Sequence, residues 1–397
     1  MNYFYSSFPT GPLLLSMVMA PPLSGNSEYA PEPEAVFETG RLCRYGKINV
    51  LDLRGSFLEM GHQYGSLMSE QLQILYQKAI IDHFMDRKGL SRKSMLQAAK
   101  GLYNFYPQRF KDIILGMSKT SGLSLDDQII LNALELYGLM PGCSAVFAWD
   151  EYTHDGQLIA GRNYDWFDSY ADFAESLTVT VFHPDSGIPA AIITFAGVIY
   201  ATTGINAQGL FLELNNAFPS GGGLTYKNRV CAMSNLLAFL VDYQNMDQLD
   251  AAMNTTRSNF SFIINTADRH TAVSYEWPPF DLRQRPGDAP GLLVSTNHFI
   301  NPAWGLTMQE NTGFKSVLRR DNLLKLGRQS KGKIDVRAMK NILDTPIEKG
   351  GATWPEQGQV RTIYQIIATP VNQQIWIKVP GCQDWISIEL QRFFARK

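Results

Sequence analysis

The hydrophobic periodicity of this chain changes character once, at Pro141-Gly142-Cys143, and that change limits the folds open to it. Upstream, Phe57, Met60, Tyr64, Leu67, Met68, Leu72 and Leu75 recur at helical spacing and open an amphipathic segment reaching about Met85. The helical pattern continues over 91–106 and 108–119, and Ser124-Leu125-Asp126-Asp127 reads as an N-cap with an acidic first turn ahead of 129–137. A strand is expected at 47–53.

Downstream the apolar runs shorten to strand length, at 145–151, 158–164, 177–183, 190–195, 199–203 and 210–214. Helical patterns return at 230–241, 246–254, 316–327 and 336–343, with strands at 260–265, 271–276, 292–295, 362–368, 374–378 and 385–389. Strands, then helices, then strands predict an α+β chain with two sheets layered with helices.

Composition narrows the function. A net charge of -2 provides no basic excess to neutralise phosphates, so nucleic acid is not expected as a partner. Cys43, Cys143, Cys231 and Cys382 lie far apart with no CxxC pair, and the six histidines do not cluster. Neither metal, other cofactor nor disulfide framework is expected, and Cys231, inside an apolar helix, reads as core. No segment approaches the roughly 20 apolar residues that span a bilayer. Residues 1–40 read as a proline-rich tail or leader. The run Leu13-Leu14-Leu15-Ser16-Met17-Val18-Met19-Ala20 has the length of a signal-peptide core, which favours export; the lack of Lys or Arg in 1–12 and Pro21-Pro22 speak against it.

Residues 142–166 carry the chemistry. Cys143 opens an apolar strand, His154-Asp155-Gly156 supplies a turn, and the returning strand ends in Arg162-Asn163-Tyr164-Asp165-Trp166. Arg162 is placed to favour a thiolate. A five-residue loop centred near His154 sets Cys143 across from Asp165; a two-residue Asp155-Gly156 turn sets it across from Asp168. Arg162 and Asp165, three apart, fall on opposite faces of a regular strand, so for both to reach Cys143 the strand must bend or end near Asn163. A competing arrangement makes His298 the base of a papain-like dyad with Cys143 and Asn297.

Taken together, Gly142-Cys143-Ser144, Gly161-Arg162-Asn163-Tyr164-Asp165-Trp166, Gly204-Ile205-Asn206-Ala207-Gln208-Gly209-Leu210, Leu214-Asn215-Asn216 and Ser295-Thr296-Asn297 resemble the N-terminal-nucleophile (Ntn) hydrolases. The branch they resemble contains isopenicillin N acyltransferase and its autoproteolytic relatives; choloylglycine hydrolases and acid ceramidase are more distantly similar. Arg54-Gly55-Ser56, Met60-Gly61-His62-Gln63-Tyr64-Gly65 and Gly122-Leu123-Ser124-Leu125-Asp126-Asp127 look like that branch's leader. The resemblance covers about residues 47 to 390. Ser144 stands where relatives often carry Thr.

The resemblance implies a four-layer αββα sandwich of two antiparallel sheets, preceded by a mostly helical leader. It divides the chain into a tail (1–40), a helical pro-segment (41–142) and a catalytic domain (143–397). It also implies self-cleavage between Gly142 and Cys143, with the two pieces staying associated. Cys143 is then the nucleophile, Asp165 holds its freed amine, Arg162 polarises the thiol, Asn297 positions the amine or substrate, and Asn215 donates to the oxyanion, with Asn216 its rival. Ser316 is a weaker candidate; Arg319 and Arg320 do not match an arginine of bile salt hydrolases cleanly, and Asn206 is expected to serve a turn. Trp166, Phe167 and Phe218 are expected to line the site for a small N-acyl amide substrate. The expected activity is hydrolysis or acyl transfer of a linear amide, with a homo-oligomer as a possible assembly. The alternatives are a papain-like hydrolase without self-cleavage and a silent ligand-binding relative.

Overall fold

The computed structural model describes residues 32–137, 142–221, 224–226, 228–307 and 313–396; the expected export signal lies outside these residues. Three strands come first, β1 (Ala35–Phe37), β2 (Gly40–Tyr45) and β3 (Ile48–Gly55). The helical segment follows as α1 (Phe57–Leu67), α2 (Ser69–Leu75), a π-helical stretch Tyr76–Arg87, α3 (Arg92–Tyr103), α4 (Gln108–Thr120) and α5 (Leu125–Asn132). Ser56 starts α1 through a capping box, accepting from Glu59 N at 3.3 Å while its own N donates to Glu59 Oε2 at 2.7 Å. Ser124 caps α5 as the sequence predicts, and residues 134–137 leave the α-helix as a 3-10 turn. Helices α1 and α4 touch backbone to backbone: a Cβ on Gly61 would sit 2.3 Å from Ile113 O, and one on Gly116 2.4 Å from Leu58 O. That is the physical use of the glycine in Met60-Gly61.

The hairpin strands are β4 (Gly142–Asp150) and β5 (Gly156–Phe167), followed by β6 (Leu177–Pro184), β7 (Ala190–Phe195), β8 (Thr203–Asn206) and β9 (Phe211–Asn216). Then come α6 (Phe218–Gly221), α7 (Ala232–Asp242), α8 (Met246–Thr255), β10 (Phe262–Ala267), β11 (Ala272–Trp277), β12 (Arg283–Arg285) and β13 (Leu292–Ser295). Helices α9 (Ser316–Gln329) and α10 (Val336–Asp344) precede β14 (Val360–Thr369), β15 (Gln374–Val379), β16 (Gln383–Glu389) and α11 (Leu390–Phe394).

One sheet has the order β1-β2-β3-β6-β7-β8-β9-β10-β11-β12 and the other β13-β4-β5-β14-β15-β16. Pairing among these strands is antiparallel except for β3 with β6, which run parallel. That exception follows from connectivity: β3 is joined to β6 by the long crossover through the helices and the β4–β5 hairpin, the kind of link a parallel pair requires. Helices α1 and α7 cover the larger sheet, and α9 and α10 the smaller, which gives the αββα layering.

Strand parity decides what faces what. In β4, Val146 and Ala148 pack with Leu323 of α9 and Met339 of α10, whereas the Phe147 ring meets Phe211 of β9 at 6.0 Å. Odd-numbered β4 residues therefore face the second sheet. Phe147 is fully enclosed there, and truncating it to Ala is worth roughly 3–5 kcal/mol. In β5 the parity is reversed: Ile159 lies under the helices, and a Cβ on Gly161 would meet Met339 Sδ at 2.5 Å. Even-numbered β5 residues look into the inter-sheet layer.

Candidate active site

Cys143 is 1% exposed and sits at the start of β4, with its thiol in the inter-sheet layer. Its cross-strand partner is Tyr164, and Gly142 faces Asp165. Neither register anticipated from the loop length is observed. The five residues 151–155 connect the strands and centre on Thr153, and between the pairs Ala148–Ile159 and Asp150–Gly156 β5 carries one residue more than β4, at Gln157-Leu158. Asp168, the rival to Asp165, is exposed and pairs with Arg361 at 3.0 Å.

The bend or strand end expected near Asn163 does not occur either, since β5 continues to Phe167. Pairing with β4 runs unbroken from Asp165 to Ile159, and Arg162 and Asp165 stay on opposite faces. They act on different parts of Cys143. On the inter-sheet face, Arg162 Nη2 donates to Cys143 Sγ at 3.3 Å and to Leu214 O at 2.7 Å. Its Nη1 donates to Thr203 Oγ1 at 2.7 Å and to Thr202 O, and lies 3.3 Å from Glu213 Oε2. Burial opposes the Arg162 charge, but the Cys143 thiol and Glu213 more than offset it and raise its pKa.

On the helix-facing side, Asp165 accepts from Thr362 Oγ1 at 2.7 Å and from Arg319 Nη1 at 3.2 Å. Arg319, fully buried, also donates from Nη1 to Cys143 O at 2.9 Å, from Nη2 to Asn297 Oδ1 at 2.5 Å and from Nε to Phe314 O at 3.0 Å. Asn297 Oδ1 accepts in addition from Cys143 N at 3.1 Å, and Asn297 Nδ2 donates to Asn216 O at 2.8 Å. Gly142 is wedged against this group: a Cβ there would lie 2.9 Å from both Arg319 Nη2 and Asn297 Oδ1. Only glycine fits without displacing them.

Asn215 shares the parity of Glu213 and so faces the thiol's layer, with its Nδ2 3.4 Å from Ser295 Oγ. Asn216 points the other way, its Oδ1 accepting from Phe218 N at 2.7 Å. Ser316, at the start of α9, receives Asn297 N at 2.8 Å and stands 2.7 Å from His298 Nδ1. His298 is thereby committed to Ser316 and Thr296, and has no contact with Cys143 among the described residues. Burial, then the charges of Arg320, Arg319 and Arg285, push it down to about 4. Asn206 ties the β8–β9 turn, accepting from Gln208 N and Leu210 N at 3.0 Å each.

Burial raises the Cys143 thiol to about 11; Arg162 opposes this, while Asp165 and Glu213 add to it. Burial likewise lifts Asp165 to about 7 against the pull of Arg319, Thr362 and Arg162, and raises Glu213 against Arg162. The site thus holds a protonated thiol beside a cation that favours its ionisation.

Of the residues expected to touch substrate, Trp166 is fully buried, its ring stacked 5.6 Å from Tyr164 and tilted against Tyr170 at 4.9 Å. Phe167 lines a cavity of about 560 Å³ with His83, Phe84, Leu90, Tyr137 and Tyr170. Phe218 is 47% exposed and stacks on Phe260. Sequence reasoning missed Glu213, Thr203 and Thr362, and left Arg319 undecided. Glu213 carries a signal, a carboxylate in the apolar run Phe211-Leu212-Glu213-Leu214; the adjacent Arg319 and Arg320 carry none, since only the helix phase sends the second to Asp288 instead.

No family model matches the chain. Among curated proteins it is similar to protein dcd1B of Dictyostelium discoideum, 26% identical over 216 residues, which are 46% of this chain and 43% of that protein. It is also similar to an uncharacterised protein of Archaeoglobus fulgidus, 22% identical over 348 residues, 74% of this chain and 57% of that one. The chain spans about half the length of the curated relatives it matches. Among solved structures, a mutant conjugated bile acid hydrolase from Clostridium perfringens aligns at TM-score 0.45 and 13% identity, covering 64% of this chain and 95% of that one. The Caenorhabditis elegans ortholog of N-acylethanolamine-hydrolyzing acid amidase aligns at TM-score 0.41 and 19% identity, covering 60% and 95%.

Proposed function

We propose that the chain is an Ntn-type hydrolase or acyltransferase that cuts itself between Gly142 and Cys143 and then acts on a linear N-acyl amide through a thioester on Cys143. The observation that carries this reading is that the residues on either side of the Gly142–Cys143 link are held tightly. The thiol rests on Arg162, the Cys143 N–H on Asn297, the Cys143 carbonyl on Arg319, and Gly142 has no room for a side chain.

In the first step Sγ bonds to the Gly142 carbonyl carbon and the Gly142–Cys143 C–N bond breaks. The thiol proton ends on the Cys143 nitrogen, so the step is an S-for-N exchange that needs no histidine. Water then hydrolyses the thioester, giving a Gly142 carboxylate and restoring the thiol. The freed α-amine has an ordinary pKa near ~8 and serves as base toward its own thiol, within reach of the Asn297 Oδ1 that held it as an amide. Arg162 favours the thiolate. Asp165, through Arg319, fixes the carbonyl side of Cys143. Asn215, on the thiol's face, is the oxyanion donor in this scheme; one such donor is worth roughly 2.7–4 kcal/mol. The cut leader stays bound, because β3 remains hydrogen-bonded to β6 across the nick.

Intact mass and N-terminal sequencing of purified protein test this, with Cys143→Ala alongside. A C-terminal chain beginning Cys-Ser-Ala-Val in the wild type, and a single uncut chain in the variant, are expected. An uncut wild type whose thiol-dependent amidase activity vanishes in His298→Ala would instead establish the papain-like scheme. An uncut, inert wild type would leave a ligand-binding relative.

A further inference from the structure

Glu135, eight positions before Cys143 and belonging to the leader, is a buried carboxyl the scheme above does not use. It is 2% exposed. Its Oε1 accepts from the hydroxyl of Tyr164, the cross-strand partner of Cys143, and its backbone N donates to Tyr200 Oη at 3.4 Å. The Tyr164 ring is fixed between Tyr364, stacked at 4.4 Å and 9°, and Trp166, stacked at 5.6 Å and 7°. The Arg162 guanidinium carbon lies 5.4 Å from the centre of that ring. A second route closes the loop: Tyr364 Oη is 3.4 Å from Thr202 Oγ1, and the Thr202 carbonyl accepts from Arg162.

We propose that Glu135 is a positioning residue contributed by the leader, which orients Arg162 toward the Cys143 thiol by fixing the Tyr164 ring on which the guanidinium rests. The proposal deepens the reading of the same site and rests on Cys143 being its nucleophile. The groups around the carboxyl are Tyr106, Tyr164, Tyr170, Tyr200, Tyr364, Cys231 and Arg162. The tyrosines and Cys231 are buried and held above their ordinary pKa values by that burial, so Arg162 is the one cation among them. Burial pushes Glu135 itself up to about 7, opposed by the Tyr164 and Tyr200 hydroxyls and by Arg162. Taking a carboxyl out of water is costly, and a leucine would fill the space at less expense. What leucine lacks is the acceptor that fixes Tyr164. Cation–π contact and the hydroxyl–carboxylate bond are each directional, so losing one lets the guanidinium leave the line to Sγ.

The test is the second-order rate of iodoacetamide alkylation at Cys143, followed by peptide mass mapping of the full chain from pH 6 to 10. It can be read whether or not the chain has cut itself, so a failure of self-cleavage and a failure of this proposal are distinguishable. Glu135→Leu and Tyr164→Phe are each expected to slow alkylation about tenfold and to displace its rising rate–pH profile toward higher pH. The double variant should be no slower than either single one, and Glu135→Gln, which keeps an acceptor for Tyr164, should stay within about threefold of wild type. Loosened packing alone predicts the opposite sign, because it exposes the thiol and speeds alkylation. Faster or unchanged alkylation in Glu135→Leu, or strictly multiplicative effects in the double variant, would overturn the proposal.

Discussion

The Asp165–Arg319 pair offers a test of how the helix-facing half of the site is held. Both side chains are fully buried, 3.2 Å apart, and Arg319 makes three further hydrogen bonds, to Phe314 O, Cys143 O and Asn297 Oδ1. Replacing Arg319 by Met keeps the length of the side chain and deletes every one of those donors. The carboxylate left behind loses its cation in a water-free site, a change worth roughly 3–5 kcal/mol when a buried pair is broken from one side. Asp165→Asn in the same background removes the stranded charge, so the double variant should be more stable than Arg319→Met alone, and the cycle should return a coupling of about 2 kcal/mol or more.

The pH dependence has a fixed sign. Burial lifts the folded Asp165 above its unfolded value of about 3.9, so between about pH 4 and 7 the folded state holds a proton that the unfolded chain has released. This group therefore contributes more stability at the acid end of that window and less as pH rises, by at most about 1.4 kcal/mol per unit. Without Arg319 the folded pKa climbs further and the loss extends above pH 7. Urea midpoints at pH 5 and pH 8 on the Cys143→Ala background, which the proposed scheme leaves as one chain, measure this. A deficit of Arg319→Met that is equal at both pH values, or a double variant no better than the single, would refute the assignment of a strongly coupled buried pair.

Gly142→Ala places a methyl 2.9 Å from two polar atoms of the site, an overpacking of about 1–3 kcal/mol, and should slow appearance of the Cys143 N-terminus roughly tenfold on a gel time course. Arg162→Lys exchanges a fork that serves Sγ, Leu214 O, Thr203 and Glu213 together for a single ammonium; turnover of an N-acyl amide should fall at least tenfold, with the rate profile displaced to higher pH. Thr362→Val deletes the 2.7 Å donor to Asp165 and should cost about 1–3 kcal/mol by urea unfolding, more at pH 8 than at pH 5.

How far the sequence reveals this site depends on the range of the interaction involved. The helices before Gly142 and the alternation of β4 and β5 are local, written in periodicity and in caps such as Ser56 and Ser124, and they are legible. Which face a residue occupies is also legible once parity is known, and parity is what separates Asn215 from Asn216. Register is not, because it hangs on one extra residue in β5, and nothing in Gly156-Gln157-Leu158 requires a bulge there. A one-residue slip exchanges Tyr164 for Asp165 opposite Cys143, and that exchange changes the reading of the whole strand. With Tyr164 opposite the thiol, Arg162 and Asp165 no longer need to converge on one atom: one serves the sulfur, the other, through Arg319, the carbonyl. Arg319 itself comes from a helix 176 positions after Cys143, so only the tertiary fold identifies it over Arg320. The same holds for Thr362 and for Glu135, whose roles exist only where β14 and the end of the leader meet β5. The polar shell of the site is thus long-range by construction, while Cys143 and the strand that carries it are local.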